Sequence, residues 1–268
     1  MATTAPLAAG QAADVPQIRT LTLHDVMDAL TKGIADARDK PSHIPFVIGI
    51  YTMVMLLGFL VVFNYEYLPW VFPAVSGAVL IGPFVTLALC EVSRRRERGL
   101  DYSGLQGYDF WHGPSFGDIV LLGLMLIALY FFWLTSAMTI YGMTLGDPWR
   151  SVPKSPDSVV EFAKLVFGTS GGWTLIILGN LMGAFFAVAG LMLGAVSFPL
   201  LLDRPVGIGV AVQTSIRVVM ANPVMMGVWG LIVVVMLLAG AIPLLAGLAF
   251  TIPVLGHATW HLYRKVVV

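Results

Sequence analysis

The sequence has one cysteine, Cys90, among 268 residues, and only 11% of its residues are charged. A single cysteine excludes a disulfide within the chain and any zinc or iron–sulfur site built from several cysteines of one chain. The 15 basic residues balance the 15 acidic ones, so the basic excess typical of nucleic-acid binding is absent. The sequence also lacks a phosphate-binding loop, a dinucleotide fingerprint and a Gly-x-Ser-x-Gly motif in a strand-turn-helix context, which leaves nucleotide-binding and hydrolase functions without support.

Apolar residues, in contrast, make up 58% of the chain, whereas soluble domains contain just under half. They are gathered in long uncharged stretches, and about 20 such residues in a helix cross the hydrocarbon core of a bilayer. We therefore predict an all-helical, multi-pass membrane protein in which six spans form three helical hairpins. The spans are predicted at residues 44–63, 69–91, 119–141, 173–202, 224–240 and 244–262.

The last apolar stretch, residues 224–262, is long enough for one tilted helix or for two short ones. Gly240 and Pro243 lie near its middle, where a turn would need them. Six spans place all but three of the 15 Lys and Arg residues on one side of the membrane. By the positive-inside rule, both termini are then cytoplasmic, whereas five spans would put the C-terminal basic pair outside.

Residues 1–21 lack the basic start and apolar core of a secretory signal and are predicted to be a disordered tail, followed by one membrane domain over 22–268. Thr22 and Asp25 form a capping box for the next segment. This segment is predicted to be an amphipathic helix on the membrane surface, ending before Pro41. Its apolar face is formed by Leu23, Val26, Met27, Leu30 and Ile34.

Two further surface helices are predicted. One precedes the fifth span. The other, at residues 156–167, lies on the outer side, where Ser155 is expected to cap it and Pro156 to occupy its first turn.

The second span and the end of the chain share a small residue followed by Gly, then a Pro and a terminal basic pair, all at a constant offset. The shared pattern indicates a parallel repeat of helical hairpins, and chance similarity between two apolar helices is the alternative.

Five motifs together resemble those of a known family. They are Gly82-Pro83, Cys90-Glu-Val-Ser-Arg-Arg-Arg-Glu-Arg-Gly99, Ser197-Phe-Pro-Leu-Leu-Leu-Asp-Arg204, Asn222-Pro223 and Gly256-His-Ala-Thr-Trp-His-Leu-Tyr-Arg264. Their combination is similar to a family of predicted bacterial integral membrane proteins with a domain of unknown function. The resemblance covers nearly the whole chain after the N-terminal tail. It implies a bacterial inner-membrane location and six spans, and it implies no catalytic residue.

His257 and His261 are four residues apart on the last predicted helix, so both imidazoles could bind one metal ion or approach a haem. Glu91, the repeat counterpart of His261, is a candidate third ligand. A structural role is the favoured alternative, because the pair lacks the glutamate that follows the first histidine in zinc hydrolases. Hydrogen bonds to lipid headgroups, to Asp203 or to Glu91 would then satisfy the imidazoles. Nothing else indicates a cofactor, and none is expected.

Four arginines after the second span could contact anionic lipid or an acidic partner, but a purely topogenic role, as a stop after this span, is the favoured interpretation. They are Arg94, Arg95, Arg96 and Arg98. No acidic or basic residue occupies the middle of a predicted span, which weakens the hypothesis of an ion-coupled transporter or pump.

The fourth span carries a stripe of small residues beside Asn180, an amide that could hydrogen-bond a neighbouring helix. The stripe is expected either to pack within the chain or to form an interface with a partner. Its members are Gly183, Ala187, Gly190 and Gly194.

The sequence thus predicts a non-enzymatic accessory or scaffold subunit of a larger membrane complex, such as one of the respiratory or photosynthetic chain. Membrane lipids and a membrane-protein partner or a second copy are its expected partners, and nucleic acid is not. One alternative is a small permease for a neutral or amphiphilic solute, with hinges near Pro83, Pro199 and Pro253. The other is a haem- or metal-binding redox helper that uses His257 and His261.

Overall fold

The computed structural model describes residues 16–39, 64–102, 111–146, 158–242 and 246–268, together with a few isolated residues between 48 and 59. Helices account for most of these residues, and no strand forms within the described ranges apart from a single bridge between Ile18 and Val267. The prediction of an all-helical membrane protein is therefore confirmed in its class.

The described helices are α1 (Leu23–Asp39), α2 (Leu68–Ala78), α3 (Gly82–Val85), α4 (Leu87–Glu97), α5 (Phe116–Leu145), α6 (Val159–Gly168), α7 (Ser170–Gly194), α8 (Ser197–Asp203), α9 (Ile208–Ala221), α10 (Pro223–Ala241) and α11 (Leu248–Val266). Short 3-10 turns at Tyr65–Tyr67 and Val79–Ile81 flank α2.

Four helical segments are long and apolar enough to cross a membrane. They coincide with the predicted second to fifth spans, and two of them are interrupted by short breaks in the helix. The segments are Tyr65–Glu97, which contains α2 to α4, Phe116–Leu145, Ser170–Asp203, which contains α7 and α8, and Pro223–Ala241.

The other two predicted spans are not among these four segments. The first, residues 44–63, lies largely outside the described residues. The sixth, residues 244–262, corresponds to α11, which is helical but is not among the four apolar segments. A span count of six therefore stays a prediction.

The chain turns sharply between α10 and α11, where the sequence predicts a break at Gly240. A Cβ atom on Gly240 would lie 2.7 Å from the Thr251 Oγ1 atom, and one on Gly247 would lie 2.8 Å from the Gly240 Cα atom. Only glycine permits so close an approach of the two backbones. Pro243, the other predicted turn residue, lies outside the described residues.

Helix α9, predicted as a surface helix before the fifth span, packs its buried face into the break between α7 and α8. The Ser215 hydroxyl accepts a hydrogen bond from the backbone N–H of Val196 (3.3 Å), and the Ser197 hydroxyl donates to the carbonyl of Ala211 (3.2 Å). Thr214 and Ser215 are fully buried. Ser215 satisfies a backbone N–H that the helix break releases, and Ser197 adds a second hydrogen bond to α9; together they explain why α9 is held inward.

The predicted outer helix is present as α6, but it begins later than expected. Ser158 caps it, because its side chain accepts a hydrogen bond from the backbone N–H of Glu161 (3.2 Å). The cap is therefore Ser158 and not Ser155, and both Ser155 and Pro156 lie outside the described residues.

Helix α1 begins with the predicted capping box: Thr22 Oγ1 accepts from the N–H of Asp25 (3.2 Å), and Asp25 Oδ2 accepts from the N–H of Thr22 (3.0 Å). The helix runs antiparallel along α11, and a Cβ on Gly33 would lie only 2.6 Å from the Ala258 Cβ. Leu23 and Met27 remain exposed. The amphipathic helix is thus present, and its buried face packs on protein.

Residues 16–21, which the sequence assigned to a disordered tail, are held in place by the end of the chain. The N–H of Arg19 donates to the carbonyl of Val266 (2.9 Å), and the N–H of Val268 donates to the carbonyl of Gln17 (3.0 Å). The side-chain oxygen of Asn222 accepts from the N–H of Leu21 (2.7 Å). Residues 1–15 lie outside the described residues.

The larger buried cluster lies where α4 ends at Glu97 and α8 ends at Asp203; we call this region the charged end. Phe198, Trp260 and Tyr263 are fully buried there. A smaller cluster lies farther along the spans, where Trp133 packs against Phe186 and its indole N–H donates to the carbonyl of Pro73 (2.8 Å).

Candidate functional site at the charged end

Three helices that are far apart in the sequence meet at the charged end and bring five polar side chains together. Asp36 comes from α1, Ser93 and Arg96 come from α4, and His257 and His261 come from α11; we call them the polar cluster. Asp36 Oδ2 accepts hydrogen bonds from Ser93 Oγ (2.6 Å) and His261 Nε2 (2.9 Å). Arg96 donates to the other carboxylate oxygen.

Two glycines allow these helices to approach closely enough. Gly33 lets α1 lie on α11 at Ala258, and a Cβ on Gly256 of α11 would lie 2.6 Å from the Leu89 side chain of α4. The Cys90 thiol, beside Leu89, donates to the carbonyl of Gly256 (3.4 Å). The glycines therefore set the helix separations that the polar contacts need.

Asp36 is held as a carboxylate. Burial acts to raise its pKa, but the hydrogen bonds from His261 and Ser93 outweigh burial and lower the pKa to about 2. Donors that bind the charged form of a carboxyl group favour it over the protonated form. Asp36 therefore carries a negative charge at neutral pH.

Because Ser93 has a single hydroxyl proton, its contacts determine which ring nitrogen of His257 is protonated. A carboxylate only accepts hydrogen bonds, so Ser93 donates to Asp36. Its oxygen then accepts from His257 Nδ1, 2.8 Å away. His257 consequently carries its proton on Nδ1, which leaves Nε2 as an acceptor. That atom is buried and has no hydrogen-bond partner among the described residues.

Serine, histidine and aspartate thus meet, but in an order that differs from an acyl-transfer triad. In a triad the imidazole accepts the proton of the serine, and the carboxylate orients the imidazole. Here the carboxylate contacts the serine directly, and with a pKa of about 2 Asp36 is a weak base at neutral pH. The arrangement gives Ser93 no base that would activate it as a nucleophile.

The predicted metal ligands His257 and His261 both belong to the polar cluster, where they bind Ser93 and Asp36 instead of Asp203 or Glu91. No group of three or more His, Cys, Asp or Glu side chains in the described ranges is arranged to hold a metal ion. His257 Nε2 is a ring nitrogen that a metal ion could bind without replacing a hydrogen bond to a described residue. The metal site stays a prediction.

Glu91, the candidate third ligand, forms salt bridges with the arginines that follow it on α4. Its carboxylate accepts from Nε (2.6 Å) and Nη2 (2.7 Å) of Arg94 and from Nε of Arg95 (2.8 Å). The Glu91 side chain is only 2% exposed. A buried carboxylate needs such partners, and these contacts direct Glu91 away from the histidines.

Asp203 and Glu97 connect the helix ends in the same way. Asp203, at the end of α8, accepts from the Tyr263 hydroxyl (2.7 Å) and from Arg98. Glu97 accepts from the Trp260 indole (2.8 Å) and from Arg264 (3.0 Å). All four arginines predicted to contact lipid or a partner therefore already have a carboxylate partner within the chain, and the external contact stays a prediction.

The small-residue stripe of the fourth span is divided between two faces. A Cβ on Gly194 would lie 2.8 Å from Pro83, one on Gly190 would lie 3.0 Å from Leu80, and Gly183 lies against Trp133. These glycines therefore pack against neighbouring spans of the same chain. Ala187 and Asn180 are exposed instead.

Two clefts open beside the polar cluster. The first, of about 360 Å³, lies between the end of α4, the start of α5 and the end of α8. The second, of about 630 Å³, lies between α1, α4 and α11 and is lined by Asp36 and His261 as well as by basic side chains. Both clefts combine basic and acidic residues. A cleft of this kind favours an anionic ligand over a cationic one where its basic residues are in excess.

Ser93 and Asp36 are the cluster residues that the sequence reasoning missed, and Asp36 is the acceptor at the centre of the cluster. Its one sequence signal is its spacing from Val26, Ala29 and Gly33, which places it on the buried face of α1. An acidic residue on the same face as small apolar residues indicates a buried partner, and the partners lie at the other end of the chain.

Residues 71–203 match the model of a family described as predicted integral membrane protein (DUF2189). The match covers just under half of the chain, and over this segment the chain is similar to that family. The resemblance to a family of integral membrane proteins with a domain of unknown function is thereby confirmed, together with multi-pass membrane character. Comparisons with curated proteins and with solved structures give no match.

The DUF2189 segment contains only part of the polar cluster. It includes Ser93 and Arg96 on α4, and it ends at Asp203. Asp36 and both histidines lie outside it, as does the C-terminal motif that contains the histidines. The cluster therefore joins the family segment to the two flanking helices, α1 and α11.

Proposed function

We propose that this protein is a non-enzymatic accessory or scaffold subunit that packs its spans against a larger membrane complex, such as one of the respiratory or photosynthetic chain. The observation that carries the proposal is Asn180, an exposed amide in the middle of an apolar span.

The depth of Asn180 is what makes its exposure informative. It lies about ten residues into α7, and at 1.5 Å per residue this corresponds to about 15 Å, half the thickness of a hydrocarbon core of about 30 Å. Its side-chain N–H donates to the carbonyl of Ile176 on the same helix (2.7 Å). The amide oxygen and the second N–H make no hydrogen bond with other described residues, and lipid tails offer no hydrogen-bond partner.

A neighbouring transmembrane helix would supply the hydrogen-bond partners that lipid tails lack. Hydrogen bonds of this kind between membrane helices contribute about 1 to 2 kcal/mol in model peptides. Ala187, also exposed, lies two turns from Asn180 on a similar side of α7. A small residue at that position lets a partner backbone come close, which supports a helix interface on this face.

Three of the four described spans bury little of their surface within the chain, whereas the window of the Ser170–Asp203 segment is 56% buried. Only 17% of the Pro223–Ala241 window and 28% of the Phe116–Leu145 window are buried. Apolar sides of these helices are therefore available to lipid and to partner proteins.

The proposal includes six spans in a bacterial inner membrane, with the charged end and both termini in the cytoplasm. Helix α1 ends at the charged end, whereas Tyr65 begins a long segment that reaches that end only at Glu97. Asp39 and Tyr65 therefore lie at opposite ends of the bundle, which supports the predicted first span at residues 44–63 between them. Helix α11 returns from Gly240 to the charged end in the same way.

Purification in a mild detergent, followed by mass spectrometry of the proteins that remain bound, tests the subunit proposal. The wild-type protein should purify together with defined membrane proteins, and Asn180→Leu should reduce their recovery severalfold. Thr139→Ala is the matched control, because Thr139 is also an exposed polar residue of a span but its hydroxyl is satisfied by the carbonyl of Thr135 (2.8 Å).

Recovery of the wild-type protein alone under every mild condition would overturn the subunit proposal. An assembly made only of this chain would replace it with self-association. Reporter fusions after Val268 test the topology independently: a cytoplasmic reporter should be active and an exported one inactive, and the reverse pattern would contradict six spans with this orientation.

A further inference from the structure

We propose that the smaller cleft at the charged end binds the phosphate group of an anionic phospholipid. This cleft, of about 360 Å³, is formed by the end of α4, the residues that lead into α5, and the end of α8. Its lining places arginine side chains beside apolar side chains from the ends of two spans.

The charge of the cleft favours an anion. Arg94, Arg95 and Arg204 line it, against the two carboxylates of Glu91 and Asp203. Glu91 alone serves both Arg94 and Arg95. One positive charge is therefore in excess among the lining residues, in a recess where the field is less screened than on an open surface.

The arginines keep donors for a phosphate group. Arg94 binds Glu91 through Nε and Nη2, which leaves the N–H groups of Nη1. Arg204 contacts Asp203 only at 3.5 Å through Nε, and its side chain is 38% exposed. A planar guanidinium group with unused N–H donors is suited to phosphate oxygens.

The apolar wall distinguishes a lipid from a soluble anion. Phe116, Ile119, Leu201 and Leu202 line the same cleft. The larger cleft is lined by Lys32, Arg96, Arg264 and Lys265, and among the described residues Ala35 is the one apolar side chain in its lining. An amphiphile with an anionic headgroup therefore matches the smaller cleft, whereas the larger cleft offers charge without an apolar surface.

The position of the cleft agrees with this ligand. It lies where α5 begins and where the Ser170–Asp203 segment ends, so its apolar wall belongs to the spans and its arginines lie at or next to the ends of these segments. Headgroups of a bilayer occupy this level, and basic pockets between spans at this level bind anionic headgroups.

Native mass spectrometry of the purified full chain tests the proposal. The protein would be prepared in a non-ionic detergent with equal amounts of dioleoyl phosphatidylglycerol and dioleoyl phosphatidylcholine. We expect the wild type to retain phosphatidylglycerol in preference to phosphatidylcholine. Arg204→Gln should lower phosphatidylglycerol occupancy about fivefold, and Arg217→Gln, at an exposed arginine of α9 outside the cleft, should leave it unchanged.

Arg204 is chosen because its ion pair is long and its removal leaves the Glu91 contacts intact. Thermal unfolding with phosphatidylglycerol or with inorganic phosphate identifies the source of the phosphate group. Stabilisation by the lipid and not by inorganic phosphate supports the proposal. Equal retention of the two lipids, equal losses in Arg204→Gln and Arg217→Gln, or stabilisation by inorganic phosphate to the same extent would each overturn it.

Discussion

The charged end and the membrane-crossing part of this protein are held together by different forces. At the charged end, carboxylates, arginines, histidines and aromatic N–H or O–H groups connect α1, α4, α8 and α11. In the spans, helix contacts are mainly apolar, with Trp133 and Pro73 as an exception. Lipid tails are as apolar as the helix sides, so burying apolar surface between spans contributes little, whereas polar contacts near water can be selective.

The contrast indicates that contacts at the charged end hold distant parts of the chain together. The hydrogen bond between Asp36 and His261 joins residues 225 positions apart. The backbone pairing of Arg19 with Val266 closes the same loop. The charged end therefore joins the beginning and the end of the described chain, and the spans between them keep apolar sides available to lipid and partners.

Removing the carboxylate of the polar cluster is expected to have the largest effect. Asp36→Ala leaves Ser93, His261 and Arg96 without their shared acceptor, so we expect a loss of about 2 to 3 kcal/mol in unfolding free energy. Thermal or denaturant unfolding in detergent measures it. The matched control is Asp39→Asn, because the Asp39 side chain is 43% exposed and lies 3.7 Å from Arg96.

We expect Asp39→Asn to change stability by less than about 0.5 kcal/mol. Equal losses in the two variants would show that the polar cluster is no more important than a surface ion pair. The comparison between the charged end and the spans would then lose its main support.

The sequence predicted the spans well, because their signal is local. An uncharged apolar stretch of sufficient length needs no knowledge of its neighbours, and four described segments match four predictions. The capping box at Thr22 and Asp25 is local in the same sense. The family resemblance, likewise carried by local motifs, is confirmed over residues 71–203.

The partners of the polar cluster could not be read from the sequence in this way. The histidine pair indicated a polar site on α11, but its acceptor Asp36 lies on a helix at the other end of the chain. The packing of α1 on α11 depends on a close approach at Gly33 and Ala258. Such a contact leaves no periodic pattern, so the sequence analysis instead named Glu91, the repeat counterpart of His261, and Asp203.

A methyl group at the contact between α1 and α11 is expected to have the next largest effect. In Gly33→Ala the new Cβ would lie 2.6 Å from both the Cβ and the backbone nitrogen of Ala258. Because backbone atoms cannot rotate away, α1 has to shift, at a cost of about 1 to 3 kcal/mol. Limited proteolysis should cleave α1 faster, and unfolding in detergent should occur at a lower temperature.

Gly209→Ala is the control for this substitution. Gly209 lies in α9 with nothing within 4 Å of its Cβ position, and alanine is the better helix former. Its stability should be unchanged or slightly higher. A comparable loss in the control would mean that the effect in Gly33→Ala does not come from the contact with α11.

Acidification is expected to weaken the same contact to a smaller extent. Hydrogen bonds from Lys265 and Lys32 lower the pKa of Asp28 to about 2, and Asp36 also has a pKa of about 2, against an ordinary value of 3.8. Since the folded-state pKa values lie below the unfolded ones, this stabilisation is present above about pH 4 and is lost as the pH falls towards 2.

Hydrogen exchange of α1 at pH values between 5 and 2.5 measures this loss. Protection of α1 should fall over this interval before protection of the spans does. The Asp36→Asn variant should show a flatter pH dependence than the wild type. A loss of protection that begins in the spans, or an unchanged profile in Asp36→Asn, would contradict the assignment of the acid-sensitive contact to α1.

The smallest effect is expected in the membrane-crossing part. In Gly183→Ala the new Cβ would lie 3.5 Å from the Trp133 ring, which is an ordinary van der Waals contact. The unfolding free energy should therefore change by no more than about 0.5 kcal/mol. The same unfolding measurement that reports on Gly33→Ala checks this value. If Gly183→Ala is as destabilising as Gly33→Ala, the spans are as closely fitted as the charged end, because a single methyl group would then be excluded from both regions.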